Sequence, residues 1–485
     1  MVGIPGKSQG CNTCRRRKIR CDLQKPLCQR CTSSGRQCEG YERYPVFINR
    51  SQAGLERRQR LEEVRSTPPR PALQNQDTMG FSVPSMCQLN EDQFISSFWE
   101  GYSTSSSPYS RTRKPAWLYH SINISTPTTP LRQALLSLAY TRIGRLQNNP
   151  TLILKGQKIY GQTLRLMQNA LYDQQLMCHD EILAAARCMV LYEAFESTSE
   201  DMAAWQSHII GIVRLIEIRG PGRHRDPLPK SILESIRYNA MIVCLTRKES
   251  SFFGYPSWLT QPWADTPKDL DQRVYDYGFA LSDLIQRGEA IYQCSSRTEI
   301  LPILEQIRDS YIGMAALKKD LLDMHIVHDL KGQALNEPPF GETTFAITSA
   351  ILIALDLAFS IYAAALIEKY VADVFSEHQD LIAEISRYTD ASRRRDLSKQ
   401  VLRHLQYCLQ TRFEYARPRL IFPLNVVRWE LRTIPEDRAQ VQALFEAISS
   451  RNQFRIARSV QNAGCSTLPS VVSRAATTGC ELPAR

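Results

Sequence analysis

The chain has 485 residues, 43% hydrophobic and 22% charged, with a formal net charge of +11. That balance excludes a chain disordered throughout, a collagen and a multi-span membrane protein. The charge is unevenly placed: residues 1–70 hold 16 Lys/Arg against 6 Asp/Glu, which leaves the rest nearly neutral. A basic head on a neutral body implies a polyanionic partner, nucleic acid or an anionic membrane surface. Of 14 cysteines, six fall between positions 11 and 38. The first ten residues contain no apolar run of a signal peptide, so a disulfide framework is not expected and the clustered cysteines read as metal ligands.

Those cysteines are Cys11, Cys14, Cys21, Cys28, Cys31 and Cys38, spaced C-x2-C-x6-C-x6-C-x2-C-x6-C. Shifting the first three by 17 positions gives the second three, so the head is an internal repeat. Structural zinc takes four ligands in a tetrahedron. Six thiolates fill two such sites only if two of them bridge, and the symmetric bridges are Cys11 and Cys28. The alternatives fit less well. A single zinc ribbon leaves two thiols idle, a redox C-x-x-C belongs in a βαβ setting, and an iron–sulfur cluster does not explain the doubling. Cys11 and Cys14 share one face of a short helix that continues into Arg15, Arg16, Arg17 and Lys18. The matching stretch after Cys31 holds one cation, Arg36, so the first helix is the expected recognition surface. Lys25-Pro26-Leu27 forms the turn between the halves. About 38 residues cannot bury a sufficient core, so bound metal must supply the folding free energy.

The stretch CNTCRRRKIRCDLQKPLCQRCTSSGRQC resembles the fungal zinc-binuclear-cluster DNA-binding domain. The resemblance implies two Zn²⁺ per chain, one held by Cys11, Cys14, Cys21 and Cys28, the other by Cys11, Cys28, Cys31 and Cys38. It also implies a first helix that enters the major groove of double-stranded DNA and reads CGG triplets through Lys18, helped by Arg17. Arg15, Arg16, Arg20 and Arg36 are then phosphate contacts, which position the module without specifying sequence. A nuclear regulator of RNA polymerase II genes that works with the transcription machinery follows from the same resemblance. The cation runs at 15–20 and 57–60 also suit nuclear import.

After residues 1–45, residues 46–90 have linker composition, with Ser66-Thr67-Pro68-Pro69-Arg70-Pro71 at their centre. Residues 55–65 could form a helix but are too short for a coiled coil. Any homodimer is therefore expected through the helical body. From 91 to 460 the apolar spacing predicts an all-helical domain, and the fold class is mainly α. Helices are expected over 131–147, 151–176, 180–195, 202–219, 231–248, 303–322, 344–370, 393–411 and 436–448. Gly220-Pro221 is a stop signal. Residues 345–367 are long enough to span a bilayer, but Asp356 at the centre and Thr348, Ser349 and Ser360 favour a buried core helix and no membrane. Residues 461–485 are expected to be a disordered tail.

Within 203–220, Trp205, His208, Gly211, Leu215, Arg219 and Gly220 resemble part of the helical fungal-specific transcription factor domain. His208 lies on the apolar stripe and is expected to be a hydrogen-bonded core residue. His325 and His328 have no third ligand in view. Gly3-Ile4-Pro5-Gly6-Lys7-Ser8 is too short for a phosphate loop, and G-x-S-x-G and H-E-x-x-H are absent, so no catalytic residue is assigned. A DNA-binding regulator is the leading reading. A metabolite-binding sensor or enzyme with an accessory zinc head is the alternative, and a small-molecule effector in the helical domain is compatible with both.

Overall fold

Among the described residues every regular element is helical. The computed structural model describes residues 10–38 except 12, 15, 16, 18 and 25–27, then 86–103, 116–196, 198, 203–294, 300–335, 340–374, 378–410 and 419–452. The described residues fall into two units, within Met1–Ile48 and within Asn49–Arg485. The expected helix at 55–65 and the tail at 461–485 lie outside the described residues, and so does most of the linker at 46–90.

In the head, α1 spans Gln29–Ser33. The body begins with α2 (Met86–Ser103), α3 (Ala116–Ile122), α4 (Thr129–Leu146), α5 (Pro150–Tyr172), α6 (Gln174–Met177), α7 (Asp180–Glu196), α8 (Ala203–Arg219) and α9 (Pro227–Arg247). It continues with α10 (Pro256–Thr260), α11 (Leu270–Cys294), α12 (Ile300–Leu335), α13 (Phe340–Val374), α14 (Gln379–Thr389), α15 (Ala391–Gln410), α16 (Ile421–Glu430) and α17 (Pro435–Asn452).

Local signals explain most boundaries. Helix α5 starts at Asn149, whose side chain accepts from the backbone N–H groups of Thr151 and Leu152 at 3.1 and 3.3 Å. The expected single helix over 151–176 is broken at Asp173, whose carboxylate accepts from Gln175 and Leu176 N–H and caps α6 instead. Helix α8 stops at Gly220, which has φ 75°, and Pro221 opens a 3-10 turn, as the stop signal predicts. Helices α2, α3, α10, α11, α14 and α16 are not among the segments singled out by apolar spacing. In α16 the apparent breaker Pro423 is the third helical residue, within the first turn, where its missing N–H has no intrahelical partner to lose.

Two helices are buried on almost every side. Helix α7 is buried from Ile182 to Glu196 and packs against α3, α4, α8 and α9. Helix α13 packs against α11, α12, α14, α15 and α16, and the pairs α9–α11 and α11–α13 join the two groups into one core. The apolar run in α13 is long enough to cross a membrane by length and composition, yet 72% of its most apolar window is buried inside the protein. Asp356 at its centre is held by Arg393 of α15 in a two-pronged ion pair at 2.9 and 2.7 Å. Burial raises the Asp356 carboxyl and Arg393 opposes the rise. Helices α4 and α5 pack closely at Gly156, where a Cβ would stand 2.1 Å from Thr141 Oγ1 and 2.7 Å from the Thr141 backbone nitrogen.

Candidate metal centre and nucleic-acid interface

The 17-residue repeat reappears as a repeated hydrogen-bond pattern. The backbone N–H of Cys11 donates to Cys21 Sγ at 3.4 Å, and that of Cys28 donates to Cys38 Sγ at 3.4 Å. Ile19 N–H donates to Cys14 O at 3.1 Å, and Arg36 N–H, 17 positions later, donates to Cys31 O at 3.0 Å. In the second half this is a Schellman ending of α1: Gly35 N–H also bonds Thr32 O, and Gly35 takes φ 63°. Thr13 Oγ1 donates to Gln37 O at 3.3 Å and ties the two halves together. Thr13 and Cys14 have helical backbone, so the expected first helix is seen only there, because Arg15, Arg16 and Lys18 lie outside the described residues. The turn at 25–27 also lies outside them.

The sulfurs converge. Cys11, Cys14, Cys21 and Cys28 place their sulfurs within 4.8 Å of one another, and so do Cys11, Cys31 and Cys38. Cys11 stands in both sets, as a bridging ligand must; Cys28, the other expected bridge, is in the first. The separations are 3.6 Å for Cys14–Cys28 in the first set and 3.8 Å for Cys11–Cys31 in the second, and Cys14 and Cys31, from different sets, also lie 3.8 Å apart. Four sulfurs about 2.3 Å from a zinc form a tetrahedron with edges of about 3.8 Å, so the donor set fits zinc. Burial raises the Cys11 thiol well above its ordinary range and pushes Cys28 up to about 12, with thiol neighbours adding to both rises. Crowded thiolates out of water need a cation to offset their repulsion and desolvation.

Asp22 is a residue that the spacing argument passes over. Its carboxylate accepts from the backbone N–H groups of Gln24 (3.0 Å), Gln29 (3.3 Å) and Arg30 (2.7 Å), and it lies 3.5 Å from Cys28 Sγ. The N–H bonds from Gln24 and Arg30 hold the carboxyl below its ordinary range. It clamps the loop after Cys21 to the start of α1, where orphan N–H groups need an acceptor. An acid directly after a ligand cysteine and before a short helix was the available signal. Leu23, next in the chain, has φ 64°, a left-handed conformation that disfavours a branched side chain. Arg17, Arg20 and Arg36 are exposed on this unit.

In the body, His208 is buried and its Nε2 lies 2.8 Å from Tyr160 Oη, which donates to Glu193 at 2.7 Å. Glu193 also accepts from the N–H and hydroxyl of Thr198. Burial pulls His208 down to about 4, which keeps the ring neutral. With Tyr160 donating to Glu193, the neutral ring carries its proton on Nε2. His208 is thus the hydrogen-bonded core histidine expected from its position, and the chain ties α5, α7 and α8 together. Arg219 closes α8 against the start of α7 by pairing with Asp180. The side chains of His325 and His328 lie outside the described residues.

Two family models match the chain: the fungal Zn(2)-Cys(6) binuclear cluster domain over residues 9–45, and the fungal specific transcription factor domain over residues 93–281. The first match spans the cysteine head and the second spans the first part of the helical body. An uncharacterised Emericella nidulans protein is 24% identical over 189 residues, which are 36% of this chain and 40% of that protein. An uncharacterised transcriptional regulatory protein of Schizosaccharomyces pombe is 58% identical over 36 residues, 7% of each chain. The aspercryptin biosynthesis cluster-specific transcription regulator of Emericella nidulans is 51% identical over 39 residues, 8% of this chain and 6% of that one. The chain thus covers 40% or less of the length of these relatives. No solved structure matches. Zinc-cluster domains of this family bind two zinc ions, and both families are families of transcription regulators rather than enzymes.

Proposed function

We propose that the chain is a sequence-specific DNA-binding regulator of RNA polymerase II genes, acting in the nucleus with the transcription machinery. The observation that carries this reading is the convergence of six cysteines into two sulfur sets that share Cys11, at the start of a stretch, residues 1–70, with 16 cations. One Zn²⁺ is assigned to Cys11, Cys14, Cys21 and Cys28, the other to Cys11, Cys28, Cys31 and Cys38. The metals supply the folding free energy that so small a core lacks. Lys18, with Arg17, is assigned to the bases of a CGG triplet, and Arg15, Arg16, Arg20 and Arg36 to phosphates. The exposure of Arg17, Arg20 and Arg36 supports their part in this division. Residues 1–45 are assigned to this module, 46–90 to a linker, 91–460 to a regulatory body and 461–485 to a tail. Self-association and a small-molecule effector are assigned to the body.

The test is a binding-site selection with the full chain, followed by titration of single variants. Lys18→Ala should cost about 1–3 kcal/mol at a CGG site and flatten discrimination there. Arg15→Ala should weaken all sequences alike and lower the salt slope by about one unit. Selection of sites without a CGG triplet, or identical behaviour of the two variants, would overturn the base-contact assignment.

A further inference from the structure

Helix α13 comes to the surface where Ile361, Ala364 and Ala365 are only partly buried. There they floor a cleft of ≈ 360 Å³ between α13, the first turn of α15, the end of α16 and the 3-10 turn Leu431–Thr433. Small side chains on the floor make the space, and its volume lies in the range of small-molecule sites. The walls are cationic. Arg394 is neutralised by Glu430 at 3.0 Å, but Arg395 and Arg432 line the same cleft on exposed positions. The Arg432 guanidinium lies 3.7 Å over the Trp429 ring and donates to Trp429 O at 2.6 Å, so an aromatic face and a carbonyl hold it in place. Ala391, the first residue of the 20-residue helix α15, also lines the cleft, but that helix end is already capped by the Asp390 carboxylate, which accepts from Arg393 N–H at 3.0 Å, so the two arginines supply the positive charge.

We propose that this cleft binds a small organic acid: one carboxylate at Arg395 and Arg432, with an apolar or aromatic body over Ile361, Ala364 and Ala365. Glu368 and Glu430 also line the cleft and disfavour a polyanion such as a nucleoside triphosphate. The volume admits a single-ring or two-ring acid and excludes a folded partner. The inference rests on the effector reading above and gives it a place and a ligand class.

The probe is 2-naphthoate, titrated calorimetrically into the full chain, with naphthalene-2-carboxamide as its uncharged counterpart. The expected result is saturable binding of the acid, with the amide at least tenfold weaker. Arg395→Gln combined with Arg432→Gln should weaken the acid at least tenfold, and Ala365→Trp should abolish binding of both by filling the floor. Circular dichroism of the Arg395/Arg432 double variant should match the parent, and its melting temperature should fall only slightly, through loss of the Arg432 contacts to Trp429. Equal acid binding by parent and double variant would place the ligand elsewhere, overturning the cleft while leaving the effector reading standing. Equal binding of acid and amide, or no saturation at millimolar 2-naphthoate, would overturn the organic-acid assignment.

Discussion

Among the described residues of the head, the buried side chains are five cysteines and Thr13, whereas the body buries Leu, Ile, Phe and Ala side chains in one continuous core. The head encloses sulfur and little hydrocarbon. Its fold depends on an ion, and its shape follows from the ligand spacing and the caps around it. The body depends on apolar area, and its shape follows from which helices cover α7 and α13. The same chain therefore has one part whose stability is set by metal occupancy and another whose stability is set by packing and by a few buried polar groups.

Removing a metal ligand separates the two parts most sharply. Cys28→Ser, or prolonged treatment with a zinc chelator, should strip the head of about 10–16 kcal/mol of metal-linked folding energy. Elemental analysis should fall from two zincs toward none and DNA binding should vanish. The far-ultraviolet signal and the melting transition of the body should persist, and a body that melted with the head would contradict the division.

The next largest effect belongs to packing. Gly156→Ala places a methyl against the Thr141 backbone, and over-packing of this kind costs about 1–3 kcal/mol. Urea unfolding of the body should shift to a lower midpoint while zinc content stays at two per chain.

Acid should act on the body through its neutral histidines. Burial holds both His208 and His224 down to about 4. Their folded values are depressed below about 6.5, so the unfolded chain binds the extra protons. Stability is fully present above that value and is lost as pH falls toward 4. Between pH 7 and pH 5 the loss should be about 2 kcal/mol per histidine. His208→Gln should flatten the pH dependence of the melting temperature over that window, and an unchanged slope would contradict the buried neutral ring.

The smallest effect is in the head. Leu23 has φ 64°, and a left-handed backbone costs a branched residue about 1–2 kcal/mol. Leu23→Gly should raise the chelator concentration needed to remove zinc from the full chain, while Gly35→Ala, at φ 63° in the cap of α1, should lower it by a similar factor. Opposite signs from two substitutions of similar size would show that backbone conformation, not side-chain contact, sets this margin.

The cysteine spacing alone determined the doubled site, because six ligands and a 17-residue repeat leave few ways to satisfy two tetrahedral ions. The helical character of the body was also legible, since apolar residues spaced at three and four positions have to share a face. So was the buried fate of α13, because an acid amid an apolar run signals a partner inside the protein. The identity of that partner was not legible: Asp356 meets Arg393, 37 residues away in sequence, only once α13 and α15 are packed. The Asp22 clamp, the His208–Tyr160–Glu193 chain and the cleft walled by Arg395 and Arg432 likewise exist only in three dimensions. Each joins residues from separate elements, and a side chain's burial, hydrogen-bond partner and protonation are set by which elements the core brings together.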